Sequence, residues 1–235
     1  MFAWYEERSG VTRAVTDRSD GVSAGRYAGL NLGAHVDDQP EAVAENRRRL
    51  AERLGRPVLY MAQCHGGDVA VVDRMPVEPP RCDAVVTRSP DVALAVLVAD
   101  CVPVLLASRE GVVAAVHAGR PGLLAGVVPR TLEAMAGLGA DAVDAVVGPS
   151  VCGRCYEVPE EMRVAAAGVQ PVSAAVSWTG TPAVDVGAGV VAQLHDAGVT
   201  VRWLAGCSRE RADLYSYRRD GLTGRFAGVV AAGDA

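Results

Sequence analysis

The sequence predicts a mixed α+β fold, on the basis of three observations. Half of the 235 residues are hydrophobic, which is enough for the core of one sizeable domain. Short runs rich in Val, Leu and Ala cluster in the middle of the chain and indicate buried strands. Segments with helical periodicity lie on both sides of these runs and do not alternate with them regularly. We therefore expect a single domain over residues 1–235, with helices around a strand-rich centre.

The first elements are an extended N-terminal region and one strong helix. The stretch up to residue 33 is predicted as short extended segments separated by Gly and Ser turns. A helix is expected over 42–54, because apolar residues recur there at helical spacing. Asp37 and Asp38 precede it as candidate caps, and Pro40 suits a first turn. Gly55 ends it.

Strands dominate the next part of the chain. They are expected over 58–63, 68–73, 83–87, 92–98, 102–107 and 112–117. A helix over 122–138 follows, in which Pro129 marks a kink or a late start. Further along, the pattern predicts a strand over 142–147, helices over 159–169 and 185–197, and a strand over 199–204. Asp185 is a plausible cap of the last helix, and the segment from residue 208 is expected to mix helix and strand.

Composition excludes several function classes. The net charge is −5 and no basic stripe occurs, which argues against binding to nucleic acid or to an anionic membrane. All 23 basic residues are Arg, so Schiff-base lysines and P-loops are excluded. No apolar run reaches the length of a membrane span, and the N-terminus lacks the order of a signal peptide. We expect a cytoplasmic protein, a monomer or small homo-oligomer, whose six cysteines are mostly reduced.

Three side chains stand out as candidate site residues. Cys101 and His117 each lie where an apolar run ends, and polar groups in such surroundings are costly unless they are paired or ligated. His65 precedes two glycines that mark a turn. A thiol and two imidazoles suit Zn²⁺, and three protein ligands leave a position for water or substrate. Equally, Cys101 suits a thiolate nucleophile with His117 or His65 as its base, or an inert core cysteine beside a satisfied core histidine.

Other cysteines are interpreted as structural. If residues 61–65 are extended, Cys64 points away from His65 and belongs to the core. The same alternation separates Asp100 from Cys101. The sequence Cys152-Gly-Arg-Cys155 lacks a second pair for a zinc knuckle, because Cys82 and Cys207 are isolated in the sequence. We therefore expect a turn with incidental cysteines there.

Arginines and the remaining histidines offer weaker signals. Arg120 and the pair Arg218-Arg219 are candidates for binding an anionic group, since a guanidinium matches phosphate geometry. Most arginines, however, are solvated surface residues, and this interpretation is stronger still in a chain without Lys. His195 is expected in the last turn of a helix, and His35 is ambiguous.

Ordered motifs over most of the chain resemble one known family. They are Asp20-Gly-Val-Ser23, Leu30-Asn-Leu-Gly-Ala-His-Val36, Gln63-Cys-His-Gly66, Ala99-Asp-Cys-Val-Pro-Val104, Val116-His-Ala-Gly119, Val147-Gly-Pro149, Cys155-Tyr-Glu-Val158 and Ser216-Tyr-Arg-Arg-Asp-Gly221. Together they resemble the laccase-domain or polyphenol oxidase family, whose bacterial members are described as purine nucleoside phosphorylases and as a peptidoglycan-editing factor.

The resemblance implies a fold, a metal and an activity. It implies one mixed α/β domain with two mixed sheets layered between outer helices, related to cysteine-hydrolase-like folds. It implies that His65, Cys101 and His117 are catalytic and bind one Zn²⁺. The implied reactions are phosphorolysis of adenosine, inosine, guanosine and methylthioadenosine, and hydrolytic deamination of adenosine. Purine nucleoside and phosphate are then the partners.

One motif departs from the family pattern. Trp-Arg-Gly usually follows His-Ala-Gly, whereas Arg120-Pro-Gly122 follows it here. An arginine is kept, displaced by one position, so Arg120 must reach phosphate from a different backbone position. Asn31 and Arg18 are weaker candidates for substrate binding.

Two other functions remain open from the sequence. The family name suggests copper in place of zinc, but a blue-copper centre with an oxygen-reducing copper cluster needs more than the four histidines present. A cytosolic factor that edits peptidoglycan precursors, with Cys101 as an amide-hydrolysing nucleophile, is the other alternative.

Overall fold

The computed structural model describes residues 1–233. The strands are β1 (Phe2–Arg8), β2 (Val11–Thr16), β3 (Val58–Tyr60), β4 (Val69–Val71), β5 (Ala84–Thr87), β6 (Ala93–Val98), β7 (Val102–Ser108), β8 (Val113–Ala118), β9 (Val143–Val147), β10 (Ala174–Val176), β11 (Pro182–Val184), β12 (Thr200–Trp203) and β13 (Phe226–Ala232). The helices are α1 (Pro40–Leu54), α2 (Arg120–Ala125), α3 (Val127–Gly137), α4 (Glu160–Val169), α5 (Val186–Asp196) and α6 (Tyr217–Asp220).

Two large mixed sheets organise the molecule. The first has the strand order β1-β2-β13-β6-β3 and the second has β12-β9-β7-β8-β5-β4. In the first sheet only β3 and β6 pair in parallel, and in the second the parallel pairs are β9 with β12 and β4 with β5. Strands β10 and β11 form a separate antiparallel hairpin. The expected mixed α/β class is confirmed.

The two sheets pack face to face between layers of helices. Val96 and Phe226 of the first sheet share one buried cluster with Leu105 and Ala115 of the second. The outer face of the first sheet packs against Leu50 of α1. Helices α2, α3 and α5 contribute apolar side chains to the cluster on the outer face of the second sheet. Buried apolar area on both faces of each sheet explains why the central strands are apolar at nearly every position.

The chain passes from one sheet to the other within three residues. Strand β6 ends at Val98 in the first sheet, and β7 begins at Val102 in the second. Asp100 lies in this link with φ = 105°, outside the extended conformation that a continuous strand would need. Cys101 therefore lies at an end that both sheets share.

Most predicted elements are present, with one divided helix. The segment expected as one helix over 122–138 forms α2 and α3, which are separated by Gly126 at φ = 71°. Pro129 lies in the first turn of α3, where a missing N–H costs nothing, so the late start is confirmed. Helix α1 begins at Pro40, and its N-cap residue is Gln39, not one of the two aspartates. The Asp38 carboxylate accepts a hydrogen bond from the Gln39 amide at 2.8 Å. Asp185 does cap α5, accepting a hydrogen bond from the Ala188 amide at 2.8 Å.

The hairpin of β10 and β11 was not expected. Its strands are only three residues long and are separated by the loop 177–181, so they are too short to show a period of two. The last segment does mix helix and strand, as α6 and β13. His195 lies in the last turn of α5, as predicted.

Candidate functional site

Antiparallel register brings Cys101 and His117 together. Strands β7 and β8 pair so that Val102 lies opposite Ala118, and Pro103 lies opposite His117. Cys101 directly precedes β7, so the start of one strand meets the end of its neighbour. The two side chains therefore lie side by side although 15 residues separate them in sequence.

Asp83 connects His117 to the turn that carries His65. It directly precedes β5, and its carbonyl accepts a hydrogen bond from the His117 amide at 2.7 Å. Its fully buried carboxylate lies 2.8 Å from Nδ1 of His117. The same carboxylate accepts hydrogen bonds from the amides of His65 at 2.9 Å and Gly66 at 2.6 Å, and a longer one from that of Cys64. One carboxylate thus orients an imidazole and the backbone of a second histidine.

His65 has a left-handed backbone conformation. Its φ is 60°, which costs energy for a residue with a Cβ and occurs where the surrounding structure enforces it. The amide bonds to Asp83 supply that enforcement. Its ring meets that of His117 edge to face, with centroids 4.7 Å apart, and its Nε2 lies 3.8 Å from the Cys101 sulfur.

These three side chains form a compact donor set. One ligand atom from each of His65, Cys101 and His117 lies within 4.8 Å of the other two. Because Asp83 occupies Nδ1 of His117, Nε2 is the nitrogen left to bind a ligand. One sulfur and two imidazole nitrogens at this separation fit a single ion of the borderline class, such as Zn²⁺.

The local electrostatics favour a thiolate. Burial opposes ionisation of Cys101, but the neighbouring charge of His117 and hydrogen bonds from both histidines lower its pKa to about 6. Burial would lower the pKa of His117, yet the Cys101 thiolate and Asp83 raise it to about 9. Burial would raise the pKa of Asp83, and its hydrogen bonds to His117 and Cys64 hold it well below the ordinary value. A charged sulfur is required both of a metal ligand and of a nucleophile.

Asp100 anchors the link that carries Cys101. Its carboxylate accepts hydrogen bonds from the hydroxyls of Ser208 at 2.6 Å and Ser216 at 2.7 Å, and from the Arg218 amide at 2.6 Å. These bonds hold its unusual φ and tie the link to the C-terminal segment. Sequence reasoning missed the roles of Asp83 and Asp100, because their partners lie 17 to 118 residues away.

The three donors face a cavity of about 450 Å³, a size suited to a small-molecule ligand. Its wall includes the cationic side chains of Arg120, Arg218 and Arg225 and the aromatic rings of Tyr156 and Tyr217. The remaining lining residues are His35, Gln63, Leu97, Val98, Ala99, Asp100, Gly119, Val151 and Val186. A pocket lined by both cations and aromatic rings can hold an anionic group and a planar ring at once.

The arginines differ in their availability. Within residues 1–233, the Arg120 guanidinium makes no hydrogen bond or ion pair with protein, while Arg218 lies over the Tyr156 ring at 4.9 Å. Arg219 is occupied: it pairs with Asp220 and donates to several backbone carbonyls. Of the two adjacent arginines, only Arg218 lines the cavity.

Two predicted substrate-binding residues lie outside the cavity lining. The amide group of Asn31 is buried and bonds to Asp38, Gly33 and the Arg225 amide, so it braces the loop before α1. The Arg18 guanidinium lies over the Tyr215 ring at 4.6 Å. We therefore assign neither of them a contact with ligand.

The expectations for the other cysteines and for Asp100 need correction. Cys64 is exposed, not in the core, and its sulfur lies 3.0 Å from Asp83, because the turn at His65 breaks the strand alternation. Asp100 and Cys101 both line the cavity, because the backbone at Asp100, with φ = 105°, is not extended and does not alternate its side chains. Cys207 is not isolated: its sulfur lies beside those of Cys152 and Cys155.

Comparison with known proteins places the chain in a family. Residues 12–233 match the family described as multi-copper polyphenol oxidoreductase laccase. The chain belongs to this laccase-domain family. A purine nucleoside phosphorylase of Streptomyces coelicolor is 56% identical over 233 residues, covering 94% of this chain and 96% of that protein. One of Mycobacterium tuberculosis is 46% identical, covering 94% and 91%.

Two solved structures share the fold of this chain. A Neisseria meningitidis protein of the family model DUF152 superposes with a TM-score of 0.89 at 34% identity, covering 98% of this chain and 99% of that one. The protein YlmD of Geobacillus stearothermophilus superposes with a TM-score of 0.88 at 28% identity, covering 96% and 93%. Among the described residues 1–233, no helix has both the length and the apolar character needed to cross a bilayer.

Proposed function

We propose that this chain is a purine nucleoside phosphorylase whose site is built around one Zn²⁺ held by His65, Cys101 and His117. The observation that carries the proposal is the convergence of these three donors on a cavity that also presents arginines. Relatives at 46–56% identity that are named purine nucleoside phosphorylases support the substrate class. The expected substrates are adenosine, inosine, guanosine and methylthioadenosine, with adenosine deamination as a second activity.

In phosphorolysis a phosphate oxygen bonds to C1′ of the ribose. The bond from C1′ to N9 breaks, and the purine leaves with the electron pair and takes up a proton. Arg120 and Arg218 bind and orient the phosphate, since bidentate charge-assisted hydrogen bonds suit its geometry. The exposed Tyr217 ring offers a face for the purine, and the apolar wall of Leu97 and Val98 excludes water from the reacting bond.

The metal would be held by residues already oriented for it. When bound, Zn²⁺ supplies Lewis-acid polarisation and lowers the pKa of a water that it ligates, which is the chemistry that deamination needs. Asp83 fixes the tautomer and the orientation of the His117 ring and positions the backbone of His65. Asp100 holds the Cys101 link in place. Both aspartates are positioning residues.

Product analysis tests the proposal. Purified protein with adenosine and phosphate should yield adenine and ribose-1-phosphate, and without phosphate it should yield inosine, both read by mass. Cys101→Ala should abolish both reactions and lower the zinc content by about one equivalent per chain. Cys82→Ala is the matched control, because that buried thiol is not one of the three donors. Full activity and unchanged zinc in Cys101→Ala would contradict the proposal.

The position of the Cys101 sulfur, 3.8 Å from Nε2 of His65, together with a pKa lowered by both histidines, favours a second candidate. In it, Cys101 is the nucleophile of an amide hydrolase acting on peptidoglycan precursors. Alkylation of the thiol in zinc-free protein separates the two. Amide hydrolysis that persists without zinc and stops on alkylation would support the hydrolase, whereas phosphorolysis that needs zinc excludes it as the main activity. The cytoplasmic location, the oligomeric state and the extent of the domain stay predictions.

A further inference from the structure

A second group of metal-binding side chains lies away from the first. It consists of Cys152, Cys155, Cys207 and Glu210, and one ligand atom from each lies within 4.8 Å of all the others. None of these four residues belongs to the group of His65, Cys101 and His117. In sequence they form two pairs with the same spacing, Cys-x-x-Cys and Cys-x-x-Glu. Two Cys-x-x-Cys pairs are the arrangement of a structural zinc site, and here Glu210, whose carboxylate can also ligate zinc, takes the place of the fourth cysteine.

The two pairs lie on matching turns. The Cys155 amide donates to the Cys152 carbonyl at 2.9 Å, and the Glu210 amide donates to the Cys207 carbonyl at 3.0 Å. Each turn thus closes between its first and fourth residue and points both of its ligating side chains the same way. The first turn follows β9, and the second follows β12, the parallel neighbour of β9.

The backbone joins the two turns independently of the thiols. Ser150 and Cys207 form a parallel bridge, and the Ser208 amide donates to the Ser150 carbonyl at 3.0 Å. The Cys152 amide lies 3.4 Å from the Cys207 sulfur and points its hydrogen at it. A backbone amide that donates to sulfur stabilises negative charge there, as the amides around metal-bound thiolates do.

Without a metal, the cluster is poorly suited to its surroundings. Cys155 and Cys207 are buried among Val151 and Tyr156. Three thiols and a carboxylate face one another there with few good hydrogen bonds, the Cys155 sulfur lying 3.4 Å from the Glu210 carboxylate. A divalent cation of the borderline class, such as Zn²⁺, would satisfy these side chains, because each thiol that it ligates releases a proton and becomes a strong electron-pair donor.

We propose that Cys152, Cys155, Cys207 and Glu210 hold a structural Zn²⁺. Four protein ligands close the coordination shell, which is the property of structural and not of catalytic zinc sites. The ion would join the ends of β9 and β12. Val151 and Tyr156, which flank the first turn, line the cavity, so the second site would hold part of the wall against which substrate packs.

Zinc stoichiometry in matched variants tests this inference. Elemental analysis after dialysis against a zinc buffer should find about two zinc ions in the wild type and about one in Cys101→Ala. The double variant Cys155→Ala, Cys207→Ala should also retain about one ion, and Cys82→Ala should match the wild type. This inference rests on the proposed function only for the first site. If the first site binds no metal, the wild type should bind one ion, and the double variant should lose it. Failure of the proposed zinc site and failure of this inference are therefore distinguishable.

Cobalt binding and a milder variant show whether a loss of metal comes from the loss of a ligand or from misfolding. Cobalt bound to Cys101→Ala should show strong thiolate-to-cobalt absorption in the near ultraviolet, since three thiolates remain. Glu210→Gln, an exposed change, should stay folded by circular dichroism and bind the second ion roughly tenfold more weakly or worse, as loss of a ligand's charge predicts. Absence of metal from Cys101→Ala, or a disulfide among these three cysteines in the purified protein, would overturn the inference.

Discussion

At the scale of single residues, Asp83 determines the geometry of the candidate site. Its side chain is fully buried and accepts hydrogen bonds from three successive backbone amides and from the His117 ring. A buried carboxylate without such donors would be strongly destabilising. No local pattern marks this residue, which lies between a cysteine and an apolar strand. Its importance follows only from what surrounds it.

Replacing Asp83 tests its role as a positioning residue. Asp83→Asn keeps the size of the side chain but turns an acceptor oxygen into a donor group that faces N–H groups. We expect zinc affinity at the first site to fall roughly 10- to 100-fold, as loss of an orienting carboxylate does. Competition with a chelator measures this affinity. Asp91→Asn, in an exposed turn, is the control, and equal affinities in the two variants would contradict the assignment.

Arg120 is the residue on which phosphate binding should depend most. Its guanidinium lines the cavity and, within the described chain, has no protein partner. A hydrogen bond to a charged group contributes about 1.5–3 kcal/mol. Arg120→Ala should therefore raise the KM for phosphate about 10- to 100-fold and change the KM for nucleoside little. Initial rates at varied phosphate check this, with Arg109→Ala, in the exposed turn between β7 and β8, as the control.

At the scale of elements, the site is made by strand ends and by the turns that follow them. Strands β6, β7 and β8 could be predicted from the sequence, because every residue in them is buried and nearly all are therefore apolar. The ends of these apolar runs could be predicted as well, and Cys101 and His117 were identified because they lie at those ends. The exception is the segment around His65, where a left-handed residue in a turn reversed the expected direction of Cys64. Alternation applies only while the backbone stays extended.

The junction of β8 and α2 offers a steric test. A Cβ on Gly119 would lie 3.1 Å from both the Cys101 sulfur and Cδ2 of His65. The backbone there, with φ = −81°, accepts alanine, so any effect comes from contact with the donors. Gly119→Ala should weaken zinc binding about tenfold by displacing two ligands. Gly137→Ala, where a Cβ meets nothing within 4 Å, should leave affinity unchanged and stabilise the helix slightly.

At the scale of the whole molecule, the two sheets are in close contact beside the strands that carry Cys101 and His117. Gly228 of β13 lies against β7 so tightly that a Cβ would come within 2.9 Å of Pro103 and 3.2 Å of Leu105. Pro103 in turn lies opposite His117. The spacing of the sheets at this point therefore bears directly on the donor set.

Enlarging Gly228 should separate the sheets or strain them. Gly228→Ala is expected to lower the free energy of unfolding by about 1–3 kcal/mol, because overpacking outweighs the better strand propensity of alanine. Urea titration measures this change. Gly168→Ala, at an exposed position of α4 with open space around it, is the control. Equal stability of the Gly228 variant and the wild type would show that the sheets adjust without cost.

The sequence by itself determined most of the elements and the candidate donors of the first site. Hydrophobic periodicity and turn residues act over a few positions, so helices, strands and their ends could be predicted from neighbours alone. The family resemblance added the layered fold and the grouping of His65, Cys101 and His117.

Only the tertiary structure decided which distant residues meet. Strand order, register and the three-residue link between the sheets bring Asp83 to His117 and Asp100 to Ser208 and Ser216. The parallel pairing of β9 and β12 likewise carries Cys207 to Cys152, although 54 residues lie between them. Long-range pairing depends on packing over the whole core, which no short window of sequence contains.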